Sequence, residues 1–299
     1  MGFKGFGGYL AVLGYCLITA YYTLAIHNTT QQTSPYILAL IIFFICLVFF
    51  TGINFSKLKN IFKKSKQDIP NLIGINLTTM VNWIATLWSL KYIIPSFFIA
   101  IFMSFIPIFT FIIRFFTKRT LNKKEFILIC ILFFLMTFFI YIHHPGTNIN
   151  HFNNLGVVLC LIATIAGAFY LTMSEKFQKN TQLTTSQLLS VRFYLLIVVT
   201  AIMIPIWISP TSLVSQLKQI DYSYLIVLAL LTTVLPLYLI QRGIYSLGSA
   251  KVSYIIPATI IFTYLLELVF GMIIFSWVKV SALILITLLI VSLNKVGHH

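Results

Sequence analysis

Only five acidic residues occur among the 299 of this chain, and Asp68, Glu125, Glu175 and Asp221 fall at the ends of apolar runs. Glu267 lies inside one. A carboxyl withdrawn from water is suited to loading a proton or pairing with a cation, because its charged form becomes costly there. Thr259, Thr263 and Glu267 recur every four residues and so share one helix face, with Tyr264 beside them. Glu267 is therefore a candidate coupling residue or partner of a cationic substrate, with Thr263 and Tyr264 as substrate contacts. The competing explanation is a neutral acid hydrogen-bonded within the packing.

A second polar face belongs to the run around residue 80. Asn76, Thr79, Trp83 and Thr86 recur at helical spacing, and Asn82 adds an amide. Amides cannot face lipid, so these residues line a cavity or bind a neighbouring helix. Arg192 sits toward one end of its apolar run, at a depth from which an arginine reaches the interface, and is a weaker substrate or gate candidate. Tyr15, Thr19, Tyr22, Tyr170 and Tyr194 add an aromatic and hydroxyl wall able to hold an amine by cation-π contact. With 28 Phe and 15 Tyr in the chain, packing explains any single aromatic equally well. Trp88 reads as an interfacial anchor.

No catalytic or metal centre emerges. His27, His143, His144 and His151 read as solvated loop residues, and Cys16, Cys46, Cys130 and Cys160 fall in apolar runs at spacings that suit neither zinc nor disulfides. No Walker pattern or other cofactor motif occurs, so no cofactor is expected.

The elements that must position these side chains are membrane helices. Hydrophobic residues make up 60% of the chain and charged residues 8%, with a mean hydropathy of +1.00, a balance foreign to a soluble domain. Ten apolar runs can be marked: 7–26, 36–53, 70–89, 96–116, 126–142, 155–173, 187–207, 222–241, 252–275 and 278–293. Each approaches the roughly 20 residues needed to span a bilayer. The first is interrupted by Tyr15, Thr19, Tyr21 and Tyr22 and is followed by no small-residue cleavage site, so it reads as a retained helix.

Basic residues test the count and the orientation together, since they stay on the cytoplasmic side of short loops. Alternate connections hold Lys4; Lys57, Lys59, Lys63, Lys64 and Lys66; Lys118, Arg119, Lys123 and Lys124; Lys176 and Lys179; Arg242 and Lys251; and Lys295. The opposite connections hold only Lys91, Lys218 and Lys279. Missing one span would scramble this alternation. Ten spans with both termini in the cytoplasm of an inner (plasma) membrane are therefore expected. The net charge of +15 follows from topology and the lipid headgroups, and needs no nucleic acid as partner.

The two halves also resemble each other. Gly8, Ala20 and Tyr22 match Gly156, Ala168 and Tyr170 at a constant offset, Thr79 matches Thr233, and Ser89-Leu90 matches Ser246-Leu247. Five helices used twice, over 1–145 and 151–299, would place the second copy upside down. Inverted repeats of this kind occur in secondary transporters, with the substrate near the midplane.

The segment 156–177 is similar to the opening helix of a repeat in the drug/metabolite transporter superfamily, of the EamA-like kind: a leading Gly, a small residue and an aromatic in mid-helix, then a basic end. Leu188, Arg192 and Leu196 resemble that family's next helix. The stretch 88–107, with its central Pro107, and its counterpart 235–254 resemble the loop-and-helix that follows. The sequence departs where the family closes two helices with Gly-Glu, having Lys118-Arg119 and Gly271-Met272 instead. The resemblance implies an all-α integral membrane fold of two inverted five-helix repeats. It further implies secondary transport of an amino acid, amine or related small solute by alternating access, as monomer or homodimer. A membrane-embedded enzyme such as a lipid-linked transferase, or a channel, is the alternative.

Overall fold

The computed structural model describes residues 3–118, 123–143, 154–271 and 275–296. His144 and His151 lie outside the described residues. Among the described residues all regular structure is helical. The first half runs α1 (Phe3–Gln32), α2 (Pro35–Ile53), α3 (Leu58–Ser65), α4 (Ile69–Tyr92), α5 (Pro95–Lys118) and α6 (Lys123–His143). The second runs α7 (Asn154–Thr181), α8 (Thr185–Leu189), α9 (Tyr194–Trp207), α10 (Pro210–Gln219), α11 (Tyr222–Ala229), α12 (Leu235–Leu247), α13 (Ser249–Ile255), α14 (Ala258–Val269) and α15 (Trp277–Val296).

Helix boundaries follow local chemistry. Pro35, Pro95 and Pro210 open their helices, where the missing N–H is no loss and the fixed φ is already helical. Asp68 and Asp221 accept from the backbone N–H of Asn71 and Tyr224, capping α4 and α11. Gly248, at φ 84°, ends α12 in the left-handed region, and Glu175 from α7 then accepts the N–H of Ser249 at 2.7 Å to cap α13.

Seven segments are long and apolar enough to cross a membrane: Phe6–Gln32, Pro35–Ile53, Phe97–Thr117, Asn154–Thr181, Thr185–Trp207, Tyr222–Leu247 and Ser249–Val269. This is the pattern of a multi-pass helical membrane protein. α4, α6 and α15 have 24, 21 and 20 residues. The outward faces agree with a lipid surround, since Phe44, Val48, Phe134, Val198, Ile202, Leu231 and Leu288 are all exposed. An apolar surface of that extent is not sustained in water.

Packing brings α4 against α7 and α1 against α12. Small residues permit the approach: a Cβ on Gly156 would meet Tyr92 Cβ at 2.9 Å and Ile93 Cγ2 at 2.7 Å, and one on Gly8 would meet Ser246 Cβ and Leu247 Cγ at 2.9 Å. Ser89 adds a hydrogen bond, donating to the Gly156 carbonyl at 2.8 Å.

Three expected runs are organised differently from simple spans. The run 187–207 is broken at residues 190–193, between α8 and α9. The run 222–241 contains a π-helical turn, Leu230–Val234, between α11 and α12. The run expected to extend to residue 275 stops as helix at Val269, so Glu267 occupies the last turn of α14 rather than its middle. His27 is also not a loop residue: α1 continues past it to Gln32, and its Nδ1 lies 2.7 Å from the Leu90 carbonyl.

Candidate functional site

The break at 190–193 frees backbone groups that a continuous helix would satisfy, and a bilayer offers no water to replace them. Asn76 of α4 supplies the partners. Its Nδ2 donates to the Val191 carbonyl at 3.0 Å, and its Oδ1 accepts the Leu195 N–H at 3.5 Å. Asn76 is thus a strut for the broken helix, not a wall of a cavity.

Arg192 projects from the centre of this break, and it does not reach the interface as its sequence position led us to expect. Only 3% of it is exposed. Its Nε donates to Thr79 Oγ1 at 2.8 Å and its Nη1 to the Tyr170 hydroxyl at 2.9 Å, while its Cζ lies 3.7 Å from the Tyr170 ring centroid. Tyr170 in turn donates to Gln241 Oε1, and Gln241 Nε2 donates to Gln178 Oε1 at 2.6 Å.

These groups border a cavity of about 90 Å³. Its walls come from both halves of the chain. α1 supplies Tyr15, Thr19 and Tyr22; α4 supplies Asn82, Trp83 and Thr86; α5 supplies Phe98 and Phe102. The second half contributes Gly167 and Tyr170 from α7, Arg192 from the break, Thr232 and Thr233 from the π turn, and Leu237 from α12. π turns inside α-helices recur at functional sites because they misalign the backbone ladder and re-aim side chains.

Several polar atoms here make no hydrogen bond among the described residues. Trp83 Nε1, the Tyr22 hydroxyl and Thr233 Oγ1 are buried in this condition. The Tyr22 hydroxyl lies near enough to Thr233 to interact electrostatically, but the two do not meet hydrogen-bond geometry. Asn82 is different: its Nδ2 donates to the Ala163 carbonyl at 2.8 Å, tying α4 to α7 at the cavity edge.

A larger space of about 970 Å³ opens beyond Gln178, bordered by Lys179, Gln182, Thr184 and Arg242. Gln241 is fully buried and is bonded on one side to Tyr170, which borders the cavity, and on the other to Gln178, which borders this vestibule. The Tyr170–Gln241–Gln178 chain therefore bridges the two spaces.

Of the residues singled out by sequence, Tyr15, Thr19, Tyr22, Asn82, Trp83, Tyr170 and Arg192 come together around one space. Thr79 stands behind it as the acceptor for Arg192. Tyr194 is 38% exposed on α9. Thr263, Tyr264 and Glu267 are buried on α14 and do not border the cavity; Thr263 donates to the Thr259 carbonyl, and the Tyr264 hydroxyl accepts from the Ser276 N–H. Gln241, Gln178, Thr232 and Gly167 were missed by the sequence reading. Gln241 is an amide at the end of an apolar run, the same kind of signal that marked Asn82, whereas Gln178 lies in the polar stretch after residue 173, where nothing distinguishes it.

No family model matches the chain, and no curated protein is similar to it in sequence. Among solved structures, one described only as "Crystal structure of protein" is similar over 99% of this chain and 96% of that one, with a TM-score of 0.68 and 14% identity. At that identity the likeness concerns the fold alone.

Proposed function

We propose that this protein is a secondary transporter that carries a small organic solute across the membrane by alternating access. The observation that carries the proposal is the cavity beside a broken helix, walled by helices from both halves of the chain. Unwound helix at a buried site exposes backbone and side-chain groups to a ligand while the flanking helices stay anchored, which is how many transporters build their sites.

Adding α4, α6 and α15 to the seven strongly apolar segments gives ten spans, the count that the alternation of basic residues requires. The two glycine contacts support an inverted repeat, because Gly8 on the last residues of α12 and Gly156 on the last residues of α4 are equivalent under a five-helix exchange. The drug/metabolite transporter likeness fits the same arrangement. The vestibule carries Lys179 and Arg242, which the charge rule places in the cytoplasm; in this reading Tyr170, Gln241 and Gln178 form the barrier between cavity and cytoplasm.

Reconstitution into proteoliposomes tests the proposal. A panel of amino acids, carboxylates and amines should include a solute whose uptake saturates and is accelerated by unlabelled solute on the opposite face. Flux that never saturates would make the protein a channel, and folded protein giving no flux for any of them would overturn transport.

A further inference from the structure

Arg192 is a buried cation without a counter-ion. All five acidic residues are described, and none pairs with it: Glu125 pairs with Arg114, Glu175 with Lys179, Asp68 is held by Asn71 and Asn180, Asp221 caps α11, and Glu267 is on α14 away from the cavity. No acidic side chain borders the cavity at all. Leaving a full charge in such surroundings is unfavourable unless something compensates it. Thr79 and the Tyr170 hydroxyl and ring help, but they bear no formal charge.

The arrangement also leaves donors unused. A guanidinium has five N–H groups, and Arg192 commits two of them to protein partners. Trp83 Nε1 is a donor that makes no bond among the described residues, and the Tyr22 hydroxyl can act as one. α9 begins two residues after Arg192, adding the positive end of a helix dipole close by.

We infer that the cavity takes an organic monoanion, a carboxylate on a small apolar or aromatic body, with the carboxylate on Arg192 and the indole N–H of Trp83 as its second donor. The inference rests on the transport reading for its meaning but not for its test. A single negative charge leaves the occupied site neutral, which suits a site that must change exposure in a low-dielectric medium. An amine would add a second positive charge beside Arg192, and a dianion would leave an excess of one.

The test is thermal unfolding of the full chain in detergent with matched sets of probes: butyrate, butyramide and butylamine, and benzoate, benzamide and benzylamine. A ligand bound only by folded protein raises the midpoint with concentration. At least one carboxylate should do so where its amide and amine do not. Arg192→Gln should weaken that carboxylate at least about thirtyfold, and Trp83→Phe, which removes only the N–H, roughly twofold to tenfold. Arg192→Lys, which keeps the charge but loses the fork, should fall between Arg and Gln, and stands in for Gln should that variant not fold. If no carboxylate outdoes its amide, or if Arg192→Gln binds the carboxylate as well as before, the anion site is overturned. Binding with these dependences but no flux in proteoliposomes would sink transport alone, whereas saturable flux of an amine without carboxylate binding would sink the anion site alone.

Discussion

Asn76 Nδ2 donates to the carbonyl of Val191 at 3.0 Å, across a separation of 115 residues, and so holds open the break from which Arg192 enters the cavity. Removing that amide leaves buried backbone groups at the break without their strut. Asn76→Leu should lower stability by about 1–3 kcal/mol and, by letting the break relax, weaken ligand binding as well. Asn76→Gln, too long for the same geometry, should do no better. Chemical unfolding together with ligand titration measures both; a stable Leu variant with unchanged affinity would mean the break is held by other contacts.

That bond also marks where the sequence stops being legible. The apolar runs are local signals, and the seven segments long and apolar enough to cross a membrane fall within or over them. The break is not local. Ser190, Val191, Arg192 and Phe193 contain neither Gly nor Pro, and each is compatible with a helix. A tertiary partner far away in sequence, Asn76, takes up the Val191 carbonyl and the Leu195 N–H of the unwound form. A continuous helix would let Arg192 reach the interface; the break holds it buried against Thr79 and Tyr170 instead. Asn82 and Trp83 were legible since their cost in lipid is intrinsic to the side chain.

The helix contacts at Gly8 and Gly156 should be equally intolerant of volume. A Cβ at either would lie under 3.0 Å from side-chain carbons of the facing helix, whereas one at Gly52 meets nothing within 4 Å. Gly8→Ala and Gly156→Ala are expected to destabilise by about 1–3 kcal/mol each, and Gly52→Ala to be neutral or slightly stabilising. Unfolding curves on the three variants decide it. Tolerance at one glycine but not the other would argue that the two contacts are not equivalent.

Topology has its own test in the unequal distribution of basic residues. A cysteine at Gln31 should react with an impermeant thiol reagent from outside intact cells, and one at Lys63 only after the membrane is opened. Three of the four native cysteines are buried, so replacing Cys130 with Ser leaves a low background. The reverse pattern would invert the protein in the membrane, and labelling of both from one side would remove an odd number of spans between them.

Gln241 joins Tyr170 to Gln178 by side-chain bonds alone, so shortening it should loosen the closure between cavity and vestibule. In a background carrying Thr232→Cys within the cavity, a small charged thiol reagent applied to detergent-solubilised protein should react slowly. Gln241→Ala is expected to speed that reaction severalfold. An unchanged rate would locate the barrier in the apolar residues around Leu237 and Ile240 instead.

Glu267 is only 6% exposed, on the last turn of α14 and outside the cavity that Arg192 borders. If it couples transport to protons, its role must be separable from ligand recognition. Glu267→Gln keeps the shape and most of the hydrogen-bonding capacity of the side chain but cannot ionise. The variant is therefore expected to bind the carboxylate with unchanged affinity, to retain exchange of labelled for unlabelled solute, and to lose the extra accumulation that a pH gradient drives in the native protein. Exchange needs only the alternation of the site, whereas net accumulation needs the proton to be carried with each cycle. Measuring affinity, exchange and gradient-driven uptake on one preparation distinguishes the cases. Weakened binding would move Glu267 into the recognition site despite its distance from the cavity wall, and full gradient-driven uptake would leave it a packed structural acid.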